Sequence, residues 1–336
     1  MQTPSTARTQ RFYGLPKTHK PSLKIRPIVS CCGGIFDGLS WLLQFMLKPL
    51  LKFVPAHLTC TADLIERFQG LTGTQLKNKI PVSFDAASLK TNVDAKEAID
   101  TALTYARKTK VYPYGLTLED LWGLLTLLLD NNVFHYKETY YKQIRGLVMG
   151  NRLSGTLAIL VMDSFEKQHM YSLSPKLLIY VRYVDDIGSV IDNNENAHKM
   201  LRILNSKHLT IKFEIELLDA KGFLPILVLK IKIDENGQLQ YKLHHKKANK
   251  GITLHHTSHH PRAVKRTMVQ NELRRAEQCS TQQHRAESMA VARTKLLRNG
   301  YPWADIQPTK PRKKKKEKSS TRNACTNFPF YHPVHL

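Results

Sequence analysis

The run "LLIYVRYVDDIGSVI", residues 177–191, carries two adjacent acids, Asp185 and Asp186, inside otherwise apolar, β-rich sequence. Valine, isoleucine and tyrosine dominate both flanks, which reads as two strands meeting in a tight hairpin with the carboxylates at its tip. Adjacent like charges repel, and a divalent cation is the usual remedy because hard cations take oxygen ligands. An ordinary surface turn is the competing reading, since Asp favours turns. A third acid, Asp85, ends the strand-like "IPVSFDA", 80–86, and lies 100 residues before Asp185. If these strands are neighbours, three carboxylates meet at one sheet edge, and a pair of Mg²⁺ ions is their natural load. Two such ions activate an attacking oxygen and stabilise a leaving one in phosphoryl transfer. A nucleoside triphosphate then needs cations on its far side. "LKIRPIVS" offers Lys24 and Arg26, two apart and so on one face of a strand. A plain basic edge strand accounts for that pair equally well.

The elements that must position these groups follow from periodicity. Residues 35–52 place Leu39, Leu42, Leu43, Met46 and Leu50 at helical spacing. "DAKEAIDTALTYARK", 94–108, opens with an Asp suited to cap a helix. "TLEDLWGLLTLLLDNN" is a second helix, "VFHYKETYYKQIRG" a hairpin, and 153–170 another helix. A helix near 195–207, strands near 210–217 and 225–233 and the turn "DENG" come after the acids. From about 261 the chain reads as helical and basic, and 311–320, "PRKKKKEKSS", as a solvated charge run or linker. The expected class is α+β, an antiparallel sheet packed on helices.

A chain of 336 residues with 42% hydrophobic content supports more than one core. No run is long and apolar enough to span a bilayer, and the first 14 residues lack the apolar core of a secretory signal. Five cysteines (31, 32, 60, 279 and 325) without CxxC spacing point to a reducing compartment and no zinc module. The net charge of +24 is unevenly spread: +8 over 1–80, +1 over 81–243 and +15 over 244–336. A near-neutral middle between two basic flanks suits a polyanion gripped from both sides, with chemistry at the centre.

Taken in order, "YGLPKTHKP", "LKIRPIVS", "SFDAASLKTNV", "GLVMGNRLSG", "RYVDD", "SHHPRAVKR" and "RNGYP" resemble the blocks of a reverse transcriptase, and most closely those of Penelope-like retroelements. The resemblance covers about residues 11–303. It implies a right-hand polymerase with fingers over 1–80, palm over 81–243 (the reverse transcriptase domain about 11–243), a basic helical thumb over 244–305 and a basic tail over 306–336. It implies Asp85, Asp185 and Asp186 as catalytic metal ligands, with the backbone carbonyl of Ala86 beside them. Lys24, Arg26, Lys90, Gln143, Gly146, Met149 and Gly150 would surround the nucleotide. Lys265, Arg266, Arg274, Arg275, Lys313 and Lys314 would contact nucleic-acid phosphates. The implied cofactor is Mg²⁺, or Mn²⁺ in its place. The implied partners are an RNA template, a DNA primer and deoxynucleoside triphosphates, with no membrane, and the implied compartment is the nucleus. A telomerase-type terminal extender and a decayed, non-catalytic nucleic-acid binder are the alternative readings.

Several positions depart from that family. Lys90 stands where the family keeps an aromatic gate beneath the sugar. Met149-Gly150-Asn151-Arg152-Leu153-Ser154-Gly155 lacks two prolines and a serine of the family block. Pro225 replaces the Asp of a Phe-Leu-Asp block, and the chain stops where a GIY-YIG endonuclease would begin. His255, His256, His259 and His260 offer either a zinc site or plain backbone and phosphate contacts. Lys212 is a candidate acid for pyrophosphate departure, or a solvent-facing lysine. Arg312 to Lys316 suits nuclear import or phosphate contact.

Overall fold

Two antiparallel strands, β1 (Gln10–Pro16) and β2 (Ile25–Ser30), open the structure, a computed structural model that describes residues 8–17, 24–110, 115–170, 177–245 and 249–307. α1 (Asp37–Leu47) buries Leu43, Met46 and Leu47. It stops short of the helix expected over 35–52, because Pro49 has no N–H to continue the ladder, and the chain tightens into a 3₁₀ turn over Lys48–Phe53. α2 (Thr61–Gln69) and the single turn α3 (Gly73–Leu76) lead into β3 (Ile80–Ala86). After a short α4 (Leu89–Asn92), Asp94 caps α5 (Ala95–Thr109) by accepting the N–H groups of Lys96 and Glu97, as its sequence implies. α6 (Leu118–Asp130) begins with a reciprocal Thr117–Asp120 capping box. The hairpin β4 (Val133–Tyr136) and β5 (Thr139–Lys142) follows, then α7 (Ser154–His169), buried along most of its length.

The remaining elements are β6 (Ile179–Tyr183), β7 (Asp186–Ile191), α8 (Asn194–Lys207), β8 (Phe213–Glu216), β9 (Leu224–Ile226), β10 (Leu229–Ile233), β11 (Leu239–Leu243), α9 (Arg262–Gln278), α10 (Gln282–Arg298) and α11 (Trp303–Ile306). The single strand expected near 225–233 is instead the tight hairpin of β9 and β10, turned at Leu227 with φ +52°. An apolar run without Gly or Asn hides such a turn from sequence.

Among the described residues three sheets result, with orders β2-β1-β4-β5, β6-β7-β3-β8 and β11-β10-β9. The hairpin β4–β5, expected within the palm segment, joins the sheet of β1 and β2 through a parallel contact of β4 with β1. The central sheet is antiparallel throughout and covered on both faces. On one face Val82, Phe84, Ile187 and Phe213 share the main core with α5, α7 and α8. On the other, Val181 and Val190 pack with Ile226, Leu229 and Leu64 of α2. Gly188 permits that second contact, since a Cβ there would fall 2.5 Å from the Ile226 side chain. α9 and α10 form an antiparallel hairpin: Val269 and Leu296 share one small core, and Lys295 pairs with Glu272 at 2.8 Å.

Candidate active site

The acids meet through strand register. Tyr183 pairs with Asp186, Asp186 with Asp85, and Asp85 with Glu214, one row across all four strands of the central sheet. Directly opposed residues share a face, with Cβ atoms about 4.5–5.5 Å apart. Their neighbours Phe84 and Ile187 enter the helical core, so this row lies on the other face, near the hairpin end. Asp185 sits in the two-residue turn with Val184, and its carbonyl accepts the Ala86 N–H at 3.0 Å. Register thus sets Asp85 opposite Asp186, and the backbone of Asp185 bonds to the residue that follows Asp85. Glu214 is an addition. "FEIE" alternates, sending Phe213 and Ile215 inward and Glu214 and Glu216 to the acid face, but only the strand order places them beside Asp85.

Among the described residues no three acid, His or Cys side chains close into a ready-made metal cage. The donor set still fits Mg²⁺, which commonly takes one or two protein carboxylates and completes its shell with water and substrate phosphate.

The turn carrying Asp185 is strained. Val184 has φ +60°, a left-handed conformation that β-branched residues avoid, at about 1–3 kcal/mol. Arg182, fully buried, reaches the strained residue: its Nη1 donates to the Val184 carbonyl at 3.1 Å. The same guanidinium forks onto both oxygens of Glu166 and gives a further bond to the Ile159 carbonyl at 3.2 Å. Tyr180 donates to Glu166 as well, at 2.9 Å. Burial opposes charge on Arg182, and the Glu166 carboxylate outweighs it, holding the guanidinium protonated above its ordinary range. The backbone of Arg182 is fixed in turn by Ala56 and Leu58.

The glycine block joins the parts. Gly146 (φ +80°) sets its missing Cβ 2.5 Å from the Thr91 carbonyl oxygen, and Gly150 (φ +128°) sits against the Val29 carbonyl. The Met149 carbonyl accepts the Val29 N–H at 2.9 Å, and the Lys90 carbonyl accepts the Leu147 N–H at 2.7 Å. Gln143 donates to the Arg145 and Gly146 carbonyls, fixing the approach to this turn. The close approach that these glycines allow is thus to the protein's own backbone, tying β2 and α4 to the start of α7. Gly150→Ala should cost about 2–3 kcal/mol, from a backbone clash and a left-handed φ together, read as the shift of a urea midpoint. Asn151 and Arg152 have structural partners here: Asn151 accepts the Leu153 N–H, and Arg152 pairs with Asp37 of α1 at 3.0 Å.

Other expected residues divide. Arg26 faces Leu15 across the β1–β2 hairpin and is exposed; Lys24 lies just ahead of β2, exposed too, with its carbonyl accepting the Lys17 N–H. The row Ser30–Arg11–His135–Tyr140 crosses all four strands of that sheet on the same face as Arg26 and Tyr13. Lys212 is exposed, as the solvent-facing reading has it, and its ammonium donates to the Asn205 and His208 carbonyls at the end of α8, satisfying a helix C-terminus. Lys265 donates to the His256 carbonyl at 2.6 Å. Arg266, Arg274 and Arg275 remain exposed on α9, while Lys313 and Lys314 lie outside the described residues. Of the four histidines, His255 meets Thr257 at 2.8 Å within a turn, and His256 lies 3.7 Å from Asp305. Pro225 sits on the edge strand β9, where a missing N–H is tolerated.

Between β8 and β9, Asp219 organises the approach to β9. Burial raises its pKa, but the Lys230 ammonium and the N–H groups of Phe223 and Lys221 outweigh it, bringing the carboxyl down to about 2. A depressed carboxylate stabilises the fold above the unfolded value, about 3.9, and loses that contribution as pH falls through about 2. Asp219→Asn should therefore be less stable than the parent at pH 6, with the gap closing between pH 4 and 2 in urea melts.

Residues 16–218, more than half the chain, match the reverse transcriptase (RNA-dependent DNA polymerase) family. This chain belongs to that family. Residues 252–310 of this reverse transcriptase match the animal helix-turn-helix domain, over the α9–α10 hairpin. No curated protein matches the chain. Among solved structures it is similar to telomerase from Candida albicans, in complex with a fragment of telomeric RNA, with TM-score 0.63, 12% identity, and coverage of 89% of this chain and 56% of that one. Apo telomerase from Candida tropicalis gives TM-score 0.54 and 11% identity over 88% of this chain and 57% of that one. The reverse transcriptase spans just over half the length of these telomerases, and the likeness establishes a right-hand polymerase fold. None of its described helices is long and apolar enough to cross a membrane.

Proposed function

We propose that this chain is the RNA-directed DNA polymerase of a Penelope-like retroelement, extending a DNA 3′-end along an RNA template in the nucleus. The observation that carries the reading is the single row of Asp186 and Asp85 beside the Asp185 turn. Asp85, Asp185, Asp186 and the Ala86 carbonyl would hold Mg²⁺, or Mn²⁺ in its place, which when bound lowers the cost of attack and departure in phosphoryl transfer. In the proposed division, residues 1–80 with the β4–β5 hairpin act as fingers, the central sheet as palm, and the α9–α10 hairpin as thumb. Arg26 and Lys24 meet the triphosphate from the fingers side. The face with exposed Arg11, Tyr13 and Tyr140 and half-buried His135 suits an unpaired template strand, since bases stack on aromatic rings and phosphates meet arginine. Arg262, Arg266 and Arg274, spaced four and eight apart on exposed α9, would follow a duplex by its phosphates.

The fold likeness to telomerases supports a second reading, a terminal extender that copies a short RNA segment repeatedly. Product length separates the two. On a supplied RNA a retroelement polymerase runs to the template's 5′ end, whereas a terminal extender gives a ladder of short repeats. A chain that binds template–primer yet extends nothing in Mg²⁺ or Mn²⁺ is the decayed binder.

Lys90, on α4 just beyond Asp85, stands at the proposed sugar gate. Its flexible stem offers no flat face against a 2′-hydroxyl. Lys90→Tyr should raise the ratio of kcat/KM for deoxy- over ribonucleotides at least about tenfold, measured by single-nucleotide addition.

A further inference from the structure

We infer that Arg182 and Glu166 are positioning residues for the Val184–Asp185 turn, the buried guanidinium holding the strained Val184 in the form that sets Asp185 beside Asp85. Its consequence for rate rests on the polymerase reading; its consequence for the turn does not.

The argument starts from the turn itself. Two-residue hairpins favour Gly, Asn or Asp where the backbone turns left-handed, and here that place holds Val184 at φ +60°. Such a residue stays put only when its surroundings over-determine it. Two bonds do so on consecutive carbonyls. Arg182 Nη1 takes that of Val184, and the Ala86 N–H takes that of Asp185. The second bond ties the turn to the strand of Asp85, and the first ties it to the core.

The core end of that tie is rigid. Nε and Nη2 of Arg182 engage both carboxylate oxygens of Glu166, and Nη2 also meets the Ile159 carbonyl, all on α7. Tyr180 completes the carboxylate's partners. α7 is anchored at its start by the Ser154 hydroxyl on the Val148 carbonyl, within the glycine block that packs on β2 and α4. One planar fork therefore serves a carboxylate and two carbonyls at once. A lysine, with one compact ammonium, has no equivalent reach in fixed directions. A pair that merely filled the core would need no bond to the turn.

The test uses the full chain in three forms: the parent, Glu166→Met with Arg182→Met, and that double variant with Val184→Gly added. Removing both charges leaves no lone buried ion, so the double variant is expected to fold. Glycine takes φ +60° freely, so it removes the need for the clamp. The readouts are thermal melting, template–primer affinity, single-turnover nucleotide addition, and amide hydrogen exchange of the peptide spanning 181–188. The double variant should melt near the parent and bind template–primer within about twofold. It should add nucleotide about 30–100-fold more slowly and exchange faster at the turn. Val184→Gly should recover at least about tenfold of the rate. If the double variant does not fold, Arg182→Lys, which keeps the charge and loses the fork, carries the same expectation for rate and exchange. Unchanged rate and exchange overturn the inference. So does a slow variant that Val184→Gly leaves slow and that has also lost template–primer affinity, which marks a general structural role. A parent that extends nothing refutes the polymerase reading instead. Exchange at the turn then decides the inference alone: faster in the double variant supports it, unchanged overturns it.

Discussion

Asp185→Asn should abolish primer extension, lowering the rate on the order of 10³-fold or more, while template–primer affinity stays within about twofold. The substitution keeps the shape of the side chain and removes the charge that a hard cation seeks. Asp185 is exposed at the tip of the hairpin, so little packing is at stake. Its backbone bond to Ala86 involves the carbonyl, which the substitution leaves intact. A loss of binding along with activity, in a folded variant, would make the acids part of a nucleic-acid grip. Full activity would remove Asp185 from the chemistry.

The second large effect is on stability. Arg182→Met alone should cost about 3–5 kcal/mol, because it strands a buried Glu166 without its partner. Glu166 is 5% exposed, so water cannot replace the lost contacts. The melting midpoint should fall by roughly 10 °C. Adding Glu166→Met should recover most of that loss, since the desolvation cost of both charges disappears together. A single variant as stable as the parent would mean that the carboxylate finds another proton or partner within the core.

Much of the site was legible because it lies in local patterns. "IPVSFDA" and the "YVDD" hairpin announce their strands by β-branched composition, and their acids by contrast with it. The register that joins Asp85 to Asp186 is a tertiary fact, reached from sequence only through the resemblance of ordered blocks. Glu214 escaped notice because its strand is an edge of four residues, and nothing local says which strand it adjoins. Arg182 escaped for a different reason. A single arginine in a strand reads as solvent-facing, and its burial depends on Glu166 of α7, 16 residues earlier. Lys212 supports two readings from sequence, an acid or a solvent-facing lysine, and nothing local says that the end of α8 claims its ammonium. The β9–β10 turn was hidden because Leu227 takes a conformation that its neighbours gave no reason to expect. The resemblance implies Gly146 and Gly150 beside the nucleotide, and in the fold the atoms that meet them are protein backbone.

The most direct measurement is extension of a labelled DNA primer on an RNA template of defined, mixed sequence, with single deoxynucleotides supplied in turn and Mg²⁺ present. Incorporation should occur only for the nucleotide complementary to the next RNA base, proceed to the template's end when all four are supplied, and vanish in Asp185→Asn. No incorporation by a folded parent chain that binds the template–primer, in Mg²⁺ or Mn²⁺, would contradict the polymerase account.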